Sequence, residues 1–115
     1  MTNAIPTTDR RAHERRALHG TAELRLPDSR AFPVHIVDIS LSGIRVVAPI
    51  NPREGTIFLL RMRLPTRPSG SLPVETRVQV AFSILSGGED GFTVGLSFLD
   101  LAPAAKQAVR DYLPV

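Results

Sequence analysis

Phe32-Pro33-Val34-His35-Ile36-Val37-Asp38-Ile39-Ser40-Leu41-Ser42-Gly43-Ile44-Arg45-Val46-Val47-Ala48 is an apolar run, a short polar turn and a second apolar run. Phe32 to Ile39 suits a strand leading into the turn, and Gly43 to Ala48 a strand returning from it. Successive strand side chains alternate faces, so Asp38 and Ser40 are expected on one face and Ile39 and Leu41 on the other. The apolar pair then faces a core, while a carboxylate and a hydroxyl stand outside, side by side. Gly43 permits a backbone angle that a side chain would resist. Taken alone, Asp38 to Gly43 also reads as a β-turn in which Asp and Ser bond their own backbone and Gly turns the corner.

Outward from this hairpin the same period continues. Thr21 to Leu26 alternates, with Ala22, Leu24 and Leu26 on one face, and Pro27-Asp28-Ser29 makes a turn. Ile57 to Leu64 places Phe58, Leu60, Met62 and Leu64 inside and Arg61 and Arg63 on a solvated face. Val74 to Leu85 places Val74, Thr76, Val78, Val80, Phe82 and Ile84 inside. Gly87 to Gly91 is a hairpin loop, and Phe92, Val94, Leu96 and Phe98 face inward from the last strand. Then the period changes. Leu101, Ala105, Ala108, Val109, Tyr112 and Leu113 recur at helical spacing, with Asp100 expected as the cap and Pro103 in the first turn. The fold expected is mainly all-β: a six-stranded antiparallel β-barrel whose closure removes its edges, with a C-terminal α-helix as a lid.

With 115 residues and no cysteine, the chain is one domain that needs no disulfide, thiolate zinc site or cysteine nucleophile. No apolar stretch is long enough to span a bilayer, and no hydrophobic signal core is present, so a cytoplasmic location and no membrane insertion are the expectation. The net charge is only +3. A nucleic-acid polymer calls for a more concentrated basic face, and the five Phe and one Tyr mostly fit core positions rather than base-stacking platforms.

Residues 1–9 read as a disordered leader, and 10–115 as the domain. Arg10-Arg11-Ala12-His13-Glu14-Arg15-Arg16 is a basic segment just before the first strand. As a helix it would set Arg11 and Arg15 on one face; as an extended arm it would wrap a ligand or remain a solvated tail. Arginine forks suit phosphate oxygens and the O6/N7 edge of guanine, and a carboxylate accepts from guanine N1 and N2. One ligand class uses both kinds of group, a guanine nucleotide.

Arg11-Ala12-His13-Glu14-Arg15 followed by Asp38-Ile39-Ser40-Leu41-Ser42-Gly43 resembles the two-part signature of the PilZ domain, Arg-x-x-x-Arg then Asp/Asn-x-Ser-x-x-Gly. Val94-Gly95-Leu96-Ser97-Phe98 is similar to that family's last barrel strand, and the likeness runs from about Arg10 to the C-terminus. The resemblance implies a bacterial receptor for cyclic di-GMP on a barrel with a flexible Arg-rich N-terminal arm. Arg11 and Arg15 would clamp phosphates and a guanine Hoogsteen edge, with Arg10 adding charge or stacking. Asp38 and Ser40 would read the other guanine edges, and Gly43 would hold the turn. Ser42 could donate to the ligand, and outward-facing Gly95 could leave room for a base. Ordering of the arm would change a surface read by a downstream protein partner. The other classes are a ligand-independent adaptor of the same fold and a single-stranded nucleic-acid binder.

No catalytic or metal role is expected. Alternation sends His35 and Asp38 to opposite faces, which breaks a His35/Asp38/Ser40 triad. His13, His19 and His35 have no metal-ligand spacing. Gly87-Gly88 lacks the Lys and helix of a phosphate loop.

Overall fold

The computed structural model describes residues 14–87 and 91–113. The expected leader, Arg10, Arg11 and the tip of the Gly87 to Gly91 hairpin lie outside the described residues. Six strands follow one another: β1 (Arg16–Arg25), β2 (Ala31–Ile39), β3 (Gly43–Ala48), β4 (Ile57–Pro65), β5 (Ser71–Leu85) and β6 (Phe92–Phe98). One helix, α1 (Pro103–Tyr112), ends the series. All pairings are antiparallel, and the sheet closes on itself in the order β1-β2-β3-β6-β5-β4.

The alternation in the sequence drives this closure. Leu24, Val34, Ile44, Val46, Phe58, Leu60, Leu64, Val78, Val80 and Val94 are fully buried along the barrel axis, with Phe32 packed edge-on to Phe58 at 5.7 Å. Burial of this apolar set is the main source of stability for a chain with no disulfide. The β4–β5 ladder is the longest, from Ile57↔Gln79 to Pro65↔Ser71. The seam between β1 and β4 is short, pairing only Glu23, Leu24 and Arg25 with Arg61, Leu60 and Leu59.

Four expectations change. The first strand begins at Arg16 rather than Thr21, because Leu18 already enters the core. The helical alternative for the basic segment therefore fails at its end, where Arg16 is extended.

The second change concerns β5, whose register shifts between Val80 and Phe82. The bulge turns the rest of the strand over, so Phe82 and Ile84, expected inside, are 38% and 59% exposed. The third concerns β2, which shifts register between Ile36 and Asp38 opposite β3. Val37 is the extra residue, so His35 and Asp38, expected on opposite faces, both lie on the outer face, while Ile39 is buried as expected.

Asp100 does not cap the helix, which is the fourth change. Residue Ala102 stands at the N-cap with no side-chain bond, and Pro103 takes the first turn as expected. Asp100 instead accepts from Thr76 Oγ1 at 3.1 Å, Arg77 N at 3.1 Å and Arg77 Nε at 3.0 Å, tying the β6–α1 connection to β5.

The helix buries Ala105 and Val109, and Leu113 just beyond it, in the barrel core. It is also anchored to β1. Arg16 lies over the Tyr112 ring at 4.4 Å and donates from Nη1 to the Tyr112 carbonyl at 2.6 Å. Tyr112 Oη donates to the Ala17 carbonyl at 2.6 Å.

Candidate functional site

The polar turn is built around the Ser40 hydroxyl. Ser40 is 0% exposed, so it does not stand outside beside Asp38 as the alternation suggests. Its Oγ accepts from Ser42 N and Gly43 N, both at 3.2 Å, and lies 3.0 Å from Ser42 Oγ and 3.3 Å from the Gly43 carbonyl. Its backbone N–H donates to the same carbonyl at 2.8 Å. Ser40 is thus the internal knot of the turn, the ST-turn role that its residue type favours. Ser42 is exposed at the tip.

Gly43 is required for a reason other than backbone angle. It has no left-handed φ. It pairs with Ser97 across β3–β6, and a Cβ there would run into the Leu96 carbonyl oxygen. Glycine is what lets the turn lie flat against β6.

Beyond the β2 bulge, Asp38 pairs across the ladder with Arg45 on one side and Ala17 on the other. It lies on the outer face, yet only 7% of it is exposed, because two arginines cover it. Arg15 donates from Nη1 to Asp38 Oδ1 at 2.9 Å. Arg45 meets the carboxylate side-on: Nε lies 3.0 Å from Oδ1 and 2.9 Å from Oδ2, and Nη2 donates to Oδ2. These are charge-assisted bonds, and the Arg45 contact is a two-donor fork. The hydrogen bond to Asp38 holds the Arg45 guanidinium above its ordinary pKa. Arg15 and Arg45 each keep about a third or more of the side chain exposed, at 34% and 39%. The pair of cations can therefore reach a ligand above the barrel.

The row continues across the sheet. Arg45 pairs with Gly95, and Gly95 with Phe82. A Cβ on Gly95 would fall inside the Phe82 ring, so the room that the sequence reading assigns to a base is filled by an aromatic side chain. From β2 to β5 the outer surface reads carboxylate, guanidinium, bare backbone, ring.

Of the residues singled out from sequence, Arg15, Asp38, Ser40, Ser42, Gly43 and Gly95 lie on or under this one face, and Arg10 and Arg11 lie outside the described residues. Two residues were missed. Arg45 had a signal: Ile39↔Ile44 as the first pair after the turn makes Asp38 and Arg45 opposite neighbours. Phe82 had none, since its outward turn depends on a bulge.

Among the described residues no group of His, Cys, Asp and Glu could hold a metal ion. No helix among them is long and apolar enough to cross a membrane. The β2 bulge sets exposed His35 on the same outer face as Asp38, so alternation does not break the triad; what does is that Ser40 is buried and its hydroxyl is bonded only within its own turn.

Comparison with known proteins agrees with this architecture. The model of the PilZ domain matches residues 9–113. Among solved structures, the chain is similar to the Bacillus subtilis inhibitor of motility MotI/DgrA, with a TM-score of 0.76 and 20% identity, covering 86% of this chain and 47% of that one. The chain thus spans about half the length of that relative. It is also similar to the PilZ domain with c-di-GMP of YcgR from Escherichia coli, with a TM-score of 0.58 and 13% identity over 81% of this chain and 77% of that one. No curated relative matches. The closed barrel, the turn knotted on Ser40 and a family match over nearly the whole described chain lead to one conclusion: this chain belongs to the PilZ domain family.

Proposed function

We propose that the chain is a non-enzymatic receptor for cyclic di-GMP. The observation that carries this reading is the meeting of Arg15 and Asp38. They are 23 residues apart, come from the two halves of the signature, and touch at 2.9 Å on one outer face. A cation for phosphate and a carboxylate for guanine N1 and N2 then stand within one ligand's reach. The similarity to the YcgR domain, whose structure contains c-di-GMP, supports the same ligand.

In this reading Arg15 engages phosphate and the guanine Hoogsteen edge, joined by Arg10 and Arg11 from the preceding segment. Asp38 takes the donor edge of a guanine. Ser40 and Gly43 act by holding the turn that presents Asp38, and Ser42 is the exposed hydroxyl able to donate. The domain runs over 10–115. Binding draws the basic segment over the barrel and changes the surface offered to a downstream protein in the cytoplasm. No cofactor or metal takes part.

Calorimetric titration with cyclic di-GMP, with GTP and the linear dinucleotide as controls, tests the proposal. Selective binding that is lost in Arg15→Ala and Asp38→Ala is the expected result. Binding unaffected by Arg15→Ala refutes the clamp.

The ligand-independent adaptor is the second reading, and one observation favours it. The Asp38 carboxylate is already fully engaged by Arg15 and Arg45, an ion cluster that is complete without a ligand. Absence of binding to any of these nucleotides is the result that reading expects.

A further inference from the structure

A carboxylate has one edge on which both oxygens face the same way, and only a pair of parallel donors can fill it. In this protein that edge of Asp38 is filled by Arg45 through Nε and Nη2. Guanine presents the same pattern, the parallel N1–H and N2–H donors. The two cannot occupy one edge together. Arg15 does not compete in this way, because it makes a single bond to Oδ1.

We propose that Arg45 is an internal stand-in for the guanine edge: its fork holds Asp38 in the free protein, and the ligand must displace it to bind. This inference rests on the receptor reading and adds its regulation. The fork sets the ligand concentration at which the site fills. It also sets selectivity, because a base without two parallel donors cannot replace what it removes. Arg45 is well placed to yield. It reaches Asp38 across the ladder from β3, its side chain is 39% exposed, and its other cross-strand neighbour, Gly95, offers it no polar side chain, only the Phe82 ring above. Asp38, by contrast, is fixed by its place between β1 and β3.

The proposal separates from a simple attraction between Arg45 and a dianion by using two substitutions. Arg45→Lys keeps the charge and removes the planar fork, since an ammonium is a point donor. Arg45→Met keeps the stem and removes both. Cyclic di-GMP is titrated by calorimetry into the wild type and both variants in about 0.3 M salt, where long-range attraction is screened. Asp38→Asn is the non-binding control. In parallel, the Arg Nε–H resonances of the free proteins are followed by NMR. Arg45 Nε–H is expected to be shifted and protected in the wild type, and to lose both properties in Asp38→Asn and on saturation with ligand.

Competition predicts affinity gains of about two- to five-fold in both variants, the range set by a partly exposed charged pair. A gain of affinity is something that structural damage does not produce. Equal or weaker binding in either variant overturns the stand-in role and leaves the receptor reading intact. Binding by Arg45→Met with none by the wild type supports the proposal in its strongest form, a site locked by its own fork. If no protein binds, the receptor reading fails and the inference falls with it.

Discussion

Ser40→Ala removes one oxygen atom from a residue with no exposed surface, and the structure lets the cost be worked out. The hydroxyl serves two backbone donors, Ser42 N and Gly43 N, each at 3.2 Å. These are long bonds, so each belongs at the low end of the usual 0.5–1.5 kcal/mol. What happens to the donors afterwards decides the total. Ser42 is exposed and its N–H can turn to water, whereas Gly43 is buried under β6 and its N–H is left without a partner. An orphaned buried N–H costs about 1–3 kcal/mol. The loss together is about 2 kcal/mol. For a domain of this size that is a fall in Tm of roughly 8 °C, and a fall in the urea midpoint of about 1–2 M at unchanged m. Urea unfolding followed by far-ultraviolet circular dichroism reads it directly. A destabilisation below about 0.5 kcal/mol would mean that Ser40 is not the knot of the turn, and that the reasoning from its four contacts is wrong.

Gly43→Ala forces a methyl group into the Leu96 carbonyl and must open the β3–β6 ladder at its first pair; we expect a loss of about 3 kcal/mol or more, seen as a collapsed urea midpoint. Tyr112→Phe deletes the 2.6 Å bond to the Ala17 carbonyl while keeping the Arg16 contact. It should cost about 1 kcal/mol and speed amide exchange in the last turn of α1, with unchanged exchange refuting the anchor. Asp100→Asn tests an electrostatic tie. The Arg77 side chain foremost, with the Arg77 N–H and the Thr76 hydroxyl, holds the Asp100 carboxyl below the usual carboxylate range. A carboxyl lowered on folding adds stability above its unfolded value and loses it as pH falls through its folded value. The wild type should therefore lead the variant in Tm at neutral pH, and that lead should shrink below about pH 4; a lead that stays constant from pH 7 to pH 2 contradicts the assignment.

What could be read from the sequence depended on whether a strand kept its period. In β4 the run Phe58, Leu60, Met62, Leu64 alternates without interruption, and all four are buried as expected. In β2 and β5 the period holds up to a bulge and inverts after it. The bulged residues, Val37 and Ala81, carry no mark: both are ordinary strand formers or neutral there, and the shift is fixed by the neighbouring strand's register. That is why Phe82 was expected inside; Ser40 was expected outside because the alternation was carried past Ile39, where β2 ends and the turn begins. The helix was legible from its 3.6-residue recurrence, but its cap was not. Asp100 suits a cap by type, yet three donors from two residues on β5, distant in sequence, outcompete the helix for it.

The site shows the same division. The signature pointed to Arg15 and Asp38, and they meet. Nothing local in either segment indicates that the carboxylate is shared with a second arginine, because that depends on a cross-strand pair. Only the count outward from the turn, Ile39 with Ile44 and then Asp38 with Arg45, would have found it.

The ring of Phe82 and the bare backbone of Gly95 occupy one volume between them. The two positions are therefore a single heritable unit. A side chain gained at 95 must push the ring of Phe82 aside, and losing the aromatic first uncovers the backbone of β6. Among descendants of this chain, change at these sites should tend to be coupled, with the first step taken more often at 82. A large side chain can shrink and leave a tolerable gap, whereas a carbon atom added at 95 first has to displace the ring.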